Sequence, residues 1–375
     1  MVKYVTKKSY HKAKEILSLI RFSPFDIDSV EGRSKERYRR IILSSGTSFI
    51  SKGVVSLVGL VSVPLTINYF GNENYGLWIV VSSLVAWLQL SDFGIGNGIT
   101  NIVAKSYGRN DLLAAKSAVY SSFAVLFAIV IVLFFPMIFV VNILPWNQIL
   151  KITNASTLDT AKSCFNIVSG FFLFSIPFSI FSRVLVAYQL GYLVSLFQIG
   201  SSLLCFGGLL LCLHFKLNLI WFAGFTSFSG LLVNIIMMLF VKNKYDIKFT
   251  DFSLFSRKSL KSIYKIGFPF FLFQIEGLII NNLTSVIITR KMNLEAVADF
   301  GVYNKLYLLF FFVGTSIAVP FYPAIREAFE RKDYSWVRKS ILRVVFLRLL
   351  AVCAVSLPFI FFGNSIVSLW TSGAI

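Results

Sequence analysis

Nine long apolar runs, almost free of charge, divide this chain, and nothing else in it restricts the fold as strongly. They lie at roughly Ile41 to Ile67, Tyr75 to Leu90, Ala118 to Ile143, Cys164 to Ala187, Tyr192 to Phe215, Leu219 to Val241, Ile266 to Thr289, Tyr303 to Phe321 and Ile341 to Phe362. A helix crossing a bilayer needs about 20 such residues, so the pattern predicts an all-α, polytopic membrane protein of nine spans. The formal charge of +19 would otherwise suggest a soluble nucleic-acid binder. Only 14% of residues are charged, however, while 56% are hydrophobic and 40 are Phe, which excludes nucleic acid as a partner.

The positive charge is distributed unevenly between the two faces. With the N-terminus inside, 29 of the 36 basic residues fall on the cytoplasmic side, five fall outside, and Lys52 and Lys305 lie within or at the edge of spans. Such a bias predicts a cytoplasmic N-terminus. Cys164, Cys205, Cys212 and Cys353 sit in apolar runs and read as small hydrophobes, and with His11 and His214 as the only histidines no metal site is expected.

Self-similarity points to two related units. Tyr75-Gly76-Leu77-Trp78 matches Phe300-Gly301-Val302-Tyr303, Lys116-Ser117 matches Lys339-Ser340, Pro136 matches Pro358 and Trp146 matches Trp370, all at offsets between 222 and 225. Spans 1 and 7 run in the same direction, so the repeat is parallel. The expected organisation is a basic cytoplasmic tail (1–40), an N-lobe of six helices (41–242), a cytoplasmic linker (243–265) and a partial C-lobe of three helices (266–375). If both units are equal, the second finishes about 100 residues beyond Ile375. A complete nine-span protein is the alternative.

Ionisable side chains at bilayer depth are costly and mark function by default. Lys52 lies about 17 Å into span 1 at 1.5 Å per residue, and Ser45, Ser48, Lys52, Ser56 and Gly59 share one helical face. That face is expected to line water and contact substrate through Lys52, Ser48 and Ser56. Lys305 is a further cavity cation. Glu276 lies centrally in span 7 near Gln274, Asn281 and Asn282. It is read with Asn281 as a coupling-ion or gate candidate for Na+ or a proton, or alternatively as the structural ion-pair partner of Lys52. Asp92 belongs to Ser91-Asp92-Phe93-Gly94-Ile95-Gly96-Asn97-Gly98, whose alternating glycines suggest a helix interruption or close helix packing at a gate, with a plain helix end as the alternative. No strand or βαβ context supports a kinase or dinucleotide reading of those letters, and no phosphate-binding Gly-rich loop ending in Lys-Ser or Lys-Thr is present.

Glu36-Arg37-Tyr38-Arg39-Arg40, Val63-Pro64-Leu65-Thr66-Ile67-Asn68-Tyr69-Phe70-Gly71 running into Tyr75-Gly76-Leu77-Trp78, and the Ser91 to Gly98 segment resemble Wzx-type polysaccharide flippases of the multidrug/oligosaccharidyl-lipid/polysaccharide exporter superfamily. The resemblance spans all nine runs, with its specific part at residues 36 to 110. It implies two helical bundles, alternating access, no enzymatic activity, and export of an undecaprenyl-diphosphate-linked oligosaccharide across the bacterial inner membrane. It also implies membrane lipids and other polysaccharide-assembly proteins as partners. Lys52 and Lys305 match the cationic cavity of such flippases by character, and Glu276 matches a sodium site on the seventh helix. A cation-coupled drug exporter and an inactive remnant are the competing readings. A membrane-embedded glycosyltransferase is disfavoured because the longest outer connection, Leu144 to Ser163, carries only Asp159.

Overall fold

The computed structural model describes Phe25 and residues 30–109, 111–143, 146–147, 154–245, 252–318 and 334–371. These residues form ten α-helices and no strands. The helices are α1 (Val30–Phe70), α2 (Asn72–Ala86), α3 (Ile95–Gly108), α4 (Leu112–Ile143), α5 (Ala155–Ala187), α6 (Gly191–His214), α7 (Leu219–Tyr245), α8 (Arg257–Lys291), α9 (Leu294–Ala318) and α10 (Tyr334–Trp370). Seven are long and apolar enough to cross a bilayer, and the pair α2 and α3, bent by 44°, makes an eighth. The remaining expected span, Tyr303 to Phe321, the eighth in chain order, lies in α9 as far as Ala318 and beyond that outside the described residues. The protein is therefore a polytopic helical membrane protein.

Several helices exceed their apolar runs. α1 begins at Val30, inside the segment expected to be a tail (1–40), because hydropathy stops at charge whereas helix formation does not. At 41 residues it is about 60 Å long, twice the bilayer core of about 30 Å. The expected linker (243–265) is also shorter: α7 continues to Tyr245, a 3₁₀ turn occupies Phe252–Leu254, and α8 starts at Arg257, where Ser256 caps it by accepting from the Ser259 amide. α5 starts nine residues before Cys164, behind an Asn154 cap that accepts from the Ser156 amide.

The extension of α1 is held by a clamp. Glu36 Oε2 accepts from Arg39 Nε at 2.7 Å and from the Phe25 amide at 3.0 Å, while its Oε1 accepts from Arg39 Nη2 and Arg40 Nε, both at 2.8 Å. Burial works to raise the Glu36 carboxyl, but these four donors outweigh it and hold it at about 2. Arg40 Nη1 also donates to the Tyr188 carbonyl at 3.1 Å, tying α1 to the turn between α5 and α6.

Two tryptophans complete helices that would otherwise carry unmet backbone acceptors. Pro64 lies inside α1 and has no N–H for the carbonyl of Leu60. Trp370 Nε1 donates to that oxygen at 2.9 Å from the end of α10. Trp146 Nε1 donates at 2.6 Å to the Val141 carbonyl, in the last turn of α4 where such groups have no helical partner. The repeat-related pair thus share a chemical task on different elements.

We call the end where α1 begins the near end and the other the far end. Near-end residues of α3, α4, α5 and α7 form one core, joined by Ile263 of α8. Far-end residues of α2, α5, α6 and α7 form a second. A third joins Val63 and Ile67 of α1 to Ala298 and Val302 of α9 and Val367 of α10.

Candidate functional site

Where the first six spans meet the last three, two seams and one polar face are formed. The far seam is built from the repeat-related aromatic-Gly motifs, which pack against one another. A Cβ on Gly76 of α2 would collide with the Leu294 carbonyl, and one on Gly301 of α9 would collide with the Ile79 side chain. Gly76 is therefore required by the close approach of backbone from the opposite helix, whereas at Gly301 the nearest atom is the movable tip of Ile79.

The near seam centres on the interruption that the alternating glycines suggested. A 3₁₀ segment (Trp87–Asp92) ends with Phe93 at φ 48° and Gly94 at φ 79°, and α3 begins at Ile95. Gly94 and Gly267 of α8 touch through their backbones, since a Cβ on either would lie 2.8 Å from the other's carbonyl carbon. Gly98 faces Ile263 in the same way. Asp92 Oδ1 accepts from the Gly94 amide at 2.7 Å, and the carboxylate is also hydrogen-bonded to Gln274 of α8. The oxygen of that side-chain amide, Gln274 Oε1, is buried with no hydrogen-bond partner among the described residues. Arg183 Nε and Asp92 Oδ2 both flank Gly96. Phe93 lies 5.8 Å from Phe271 between ring centroids. Interruption and close packing occur together, so a plain helix end is not what the chain forms.

Between the seams runs the polar face of α1. Lys52 is exposed on it, with Ser48 and Ser56 half-buried one turn to either side. Gly59, two turns beyond Lys52, is met by the Lys305 ammonium of α9, whose Nζ lies 3.9 Å from where a Gly59 Cβ would be. Cys205 of α6 is close enough to that ammonium to interact with it electrostatically. Seven residues correspond to about 10 Å of helix and almost two full turns, so Lys52 and Lys305 address one face at two levels. A cavity of about 610 Å³ adjoins Lys305 toward the far end, walled by Leu60, Pro64, Asn68, Leu306 and Trp370.

Glu276 is not part of this face. Ile263, Gly267, Phe271 and Gln274 are spaced four, four and three apart and all meet the 3₁₀ turn or α3. Glu276, two residues past Gln274, is rotated by about 200° to the other side of α8, where it is exposed. The structural Lys52 to Glu276 ion pair does not form: among the described residues the ion pairs within 4 Å join Glu36 to Arg39 and Arg40. Helical phase explains this, because equivalent depth in two repeats does not fix which way each helix is turned. Asn281 lies in α8, but its side chain is outside the described residues.

The sequence did not identify Gln274 and Arg183 as partners of Asp92, nor Cys205 as a neighbour of Lys305. The spacing of Gln274 from Gly267 carried a signal for the first. Nothing local marked the others, since they are brought in by separate helices.

Comparison with known proteins agrees with this architecture. A protein of Salmonella typhi provisionally named an O-antigen transporter is 22% identical over 322 residues, covering 84% of this chain and 70% of its own length. A Yersinia pseudotuberculosis protein provisionally named an O-antigen export protein is 20% identical, covering 76% and 65%. Among solved structures, a MOP-superfamily transporter from Pyrococcus furiosus superposes with a TM-score of 0.65 at 16% identity, covering 88% of this chain and 74% of that one. A MATE transporter solved with the ligand MaD3S gives 0.63 at 17%, covering 88% and 75%. The profile of the polysaccharide biosynthesis protein family matches residues 43–329, and with the bent second span, the paired seams and the lysine-bearing face all inside that range, the chain belongs to this family of helical membrane proteins.

Proposed function

We propose that this chain takes part in translocating a lipid-linked oligosaccharide, with an undecaprenyl-diphosphate carrier, across the bacterial inner membrane by alternating access. The observation that carries the reading is the placement of Lys52 and Lys305 on one face between the bundles, at bilayer depth, with no carboxylate within ion-pair distance among the described residues. Two ammonium groups at bilayer depth without a carboxylate partner favour an anionic ligand. A diphosphate supplies one with oxygens enough for both, and Ser48 and Ser56 add hydroxyl donors. The apolar cavity beside Lys305 would receive hydrocarbon from the same ligand. The O-antigen names of the relatives support a polysaccharide cargo.

In this reading the N-terminus is cytoplasmic, the first six spans form one lobe and the last three belong to the other. The two seams then separate in turn, the near seam to admit the diphosphate and the far seam to release the glycan outward. Glu276, turned away from the first lobe, and Asn281 are assigned to Na+ or proton coupling, and Asp92 to the near gate. Other polysaccharide-assembly proteins are partners on this account.

The test is surface-polysaccharide export in cells relying on this protein. Lys305→Ala combined with Lys52→Ala is expected to reduce export at least tenfold at unchanged abundance in the membrane, with Lys305→Arg retaining most of it. Normal export by the double alanine variant would remove the diphosphate role. Transport of organic cations with unaltered polysaccharide would instead favour the drug-exporter reading.

A further inference from the structure

A second cationic cluster lies at the near end, in the cleft among α1, the turn between α5 and α6, and the end of α7. Arg39 and Arg40 share Glu36, whose two oxygens already accept four hydrogen bonds, the full capacity of a carboxylate. The Lys244 ammonium is within electrostatic reach of Arg40. It lies 5.5 Å from the Phe240 ring centroid and 5.9 Å from that of Tyr245, with no carboxylate within 4 Å among the described residues. Glu36 therefore has no capacity left for the Lys244 ammonium.

The walls are aromatic and fixed. Tyr188 stacks on Tyr245 at 4.1 Å and 12°, and Tyr107 meets Tyr188 edge-on at 5.0 Å. Tyr107 is hydrogen-bonded to Arg40. Arg40 stands two residues before the apolar part of α1, which begins at Ile42. The cleft is therefore at headgroup depth, where tyrosine is at home. It is not the lysine face: Arg40 is about 18 Å from Lys52 along α1 and turned by about a third of a circle.

We propose that this cleft is a binding site for the phosphate of a membrane-lipid headgroup, held by Arg40 and Lys244 against the Tyr188–Tyr245 stack. A guanidinium and an ammonium side by side, with phenol hydroxyls near, match the tetrahedral oxygens of a phosphate. Basic pockets between transmembrane helices at the positively biased end of a membrane protein take anionic headgroups in this manner. The site does not depend on the transport reading, because the phosphate can come from a bulk phospholipid or from a diphosphate-linked carrier.

Native mass spectrometry of the purified full chain, with phosphatidylglycerol, phosphatidylcholine or undecaprenyl diphosphate added singly, tests it. Phosphatidylglycerol or undecaprenyl diphosphate is expected to bind at least fivefold better than phosphatidylcholine, and whichever of the two is preferred identifies the source. Lys244→Gln is expected to abolish that preference. Arg40→Gln should do the same, but because Arg40 also ties α1 to Tyr188, the Lys244 variant decides. Equal binding of all three lipids by the wild type, or an undiminished preference in Lys244→Gln, would overturn the proposal.

Discussion

Gly94 and Gly96 are two residues apart and answer to different constraints. Gly94 combines φ 79° with backbone contact to Gly267, whereas a Cβ at Gly96 would meet only the tip of Asp92, at 3.1 Å, and the Arg183 side chain. Gly94→Ala is expected to cost about 2 to 5 kcal/mol, from left-handed strain and overpacking together. Gly46→Ala, in open space on α1, should be neutral or stabilising by up to about 1 kcal/mol. Thermal inactivation of the two variants in detergent, followed by size-exclusion chromatography, measures the contrast. The sequence showed that this run of glycines interrupts a helix or packs closely. It could not show which glycine faces α8, because that depends on a helix more than 160 residues away. Lys52 was legible for a simpler reason: charge in a long apolar run is visible without any partner. Its expected pairing with Glu276 failed because rotation about a helix axis is set by packing, which the repeat offset does not encode.

Among the elements, α1 is the one whose integrity depends most on others. Its near extension relies on Glu36, and removal of one partner of a buried ion pair typically costs about 3 to 5 kcal/mol, so Glu36→Ala should loosen residues 30–41 in hydrogen exchange while the rest of α1 stays protected. The sign of the acid response follows from the lowered carboxyl. Its contribution is complete above the ordinary value of 4.5 and fades as pH falls toward about 2. The difference in thermal midpoint between wild type and Glu36→Gln is therefore expected to be constant above pH 5 and to shrink below 4.5. Farther along α1, Trp370→Phe leaves the Leu60 carbonyl unmet, at about 1 to 3 kcal/mol. Pro64→Ala restores an N–H for that carbonyl, so Trp370→Phe should cost markedly less in that background. A double-mutant cycle that came out additive would deny the link. Helix existence and order were legible from apolar runs alone. The extension of α1 was hidden because hydropathy treats a charged helical turn and a charged tail alike.

For the whole molecule, the two seams are where glycines of α2 and α3 meet the backbone of α8 and α9. If they separate in turn, a covalent tie across one of them stops the cycle. With Cys164, Cys205, Cys212 and Cys353 replaced, Phe93→Cys with Phe271→Cys is expected to form a disulfide on mild oxidation, to abolish export, and to recover with reductant. Export that continued with the bond fully formed would show that the near seam need not open. The parallel repeat was legible from four landmarks, and the far seam shows what its first landmark does. What no landmark conveyed is that the two copies of that motif bear on each other.

The bond from Trp370 to Leu60 also has a consequence for how the protein is made. Its partners are 310 residues apart, which at ribosomal speeds of about 5 to 20 residues per second is a delay of roughly 15 to 60 s. Throughout that interval α1 has entered the membrane with a Leu60 carbonyl that Pro64 cannot satisfy, and a bare backbone acceptor is poorly tolerated in hydrocarbon. α1 is thus finished only when α10 arrives, and until then its midsection must be kept beside water or another polar chaperoning surface and away from lipid.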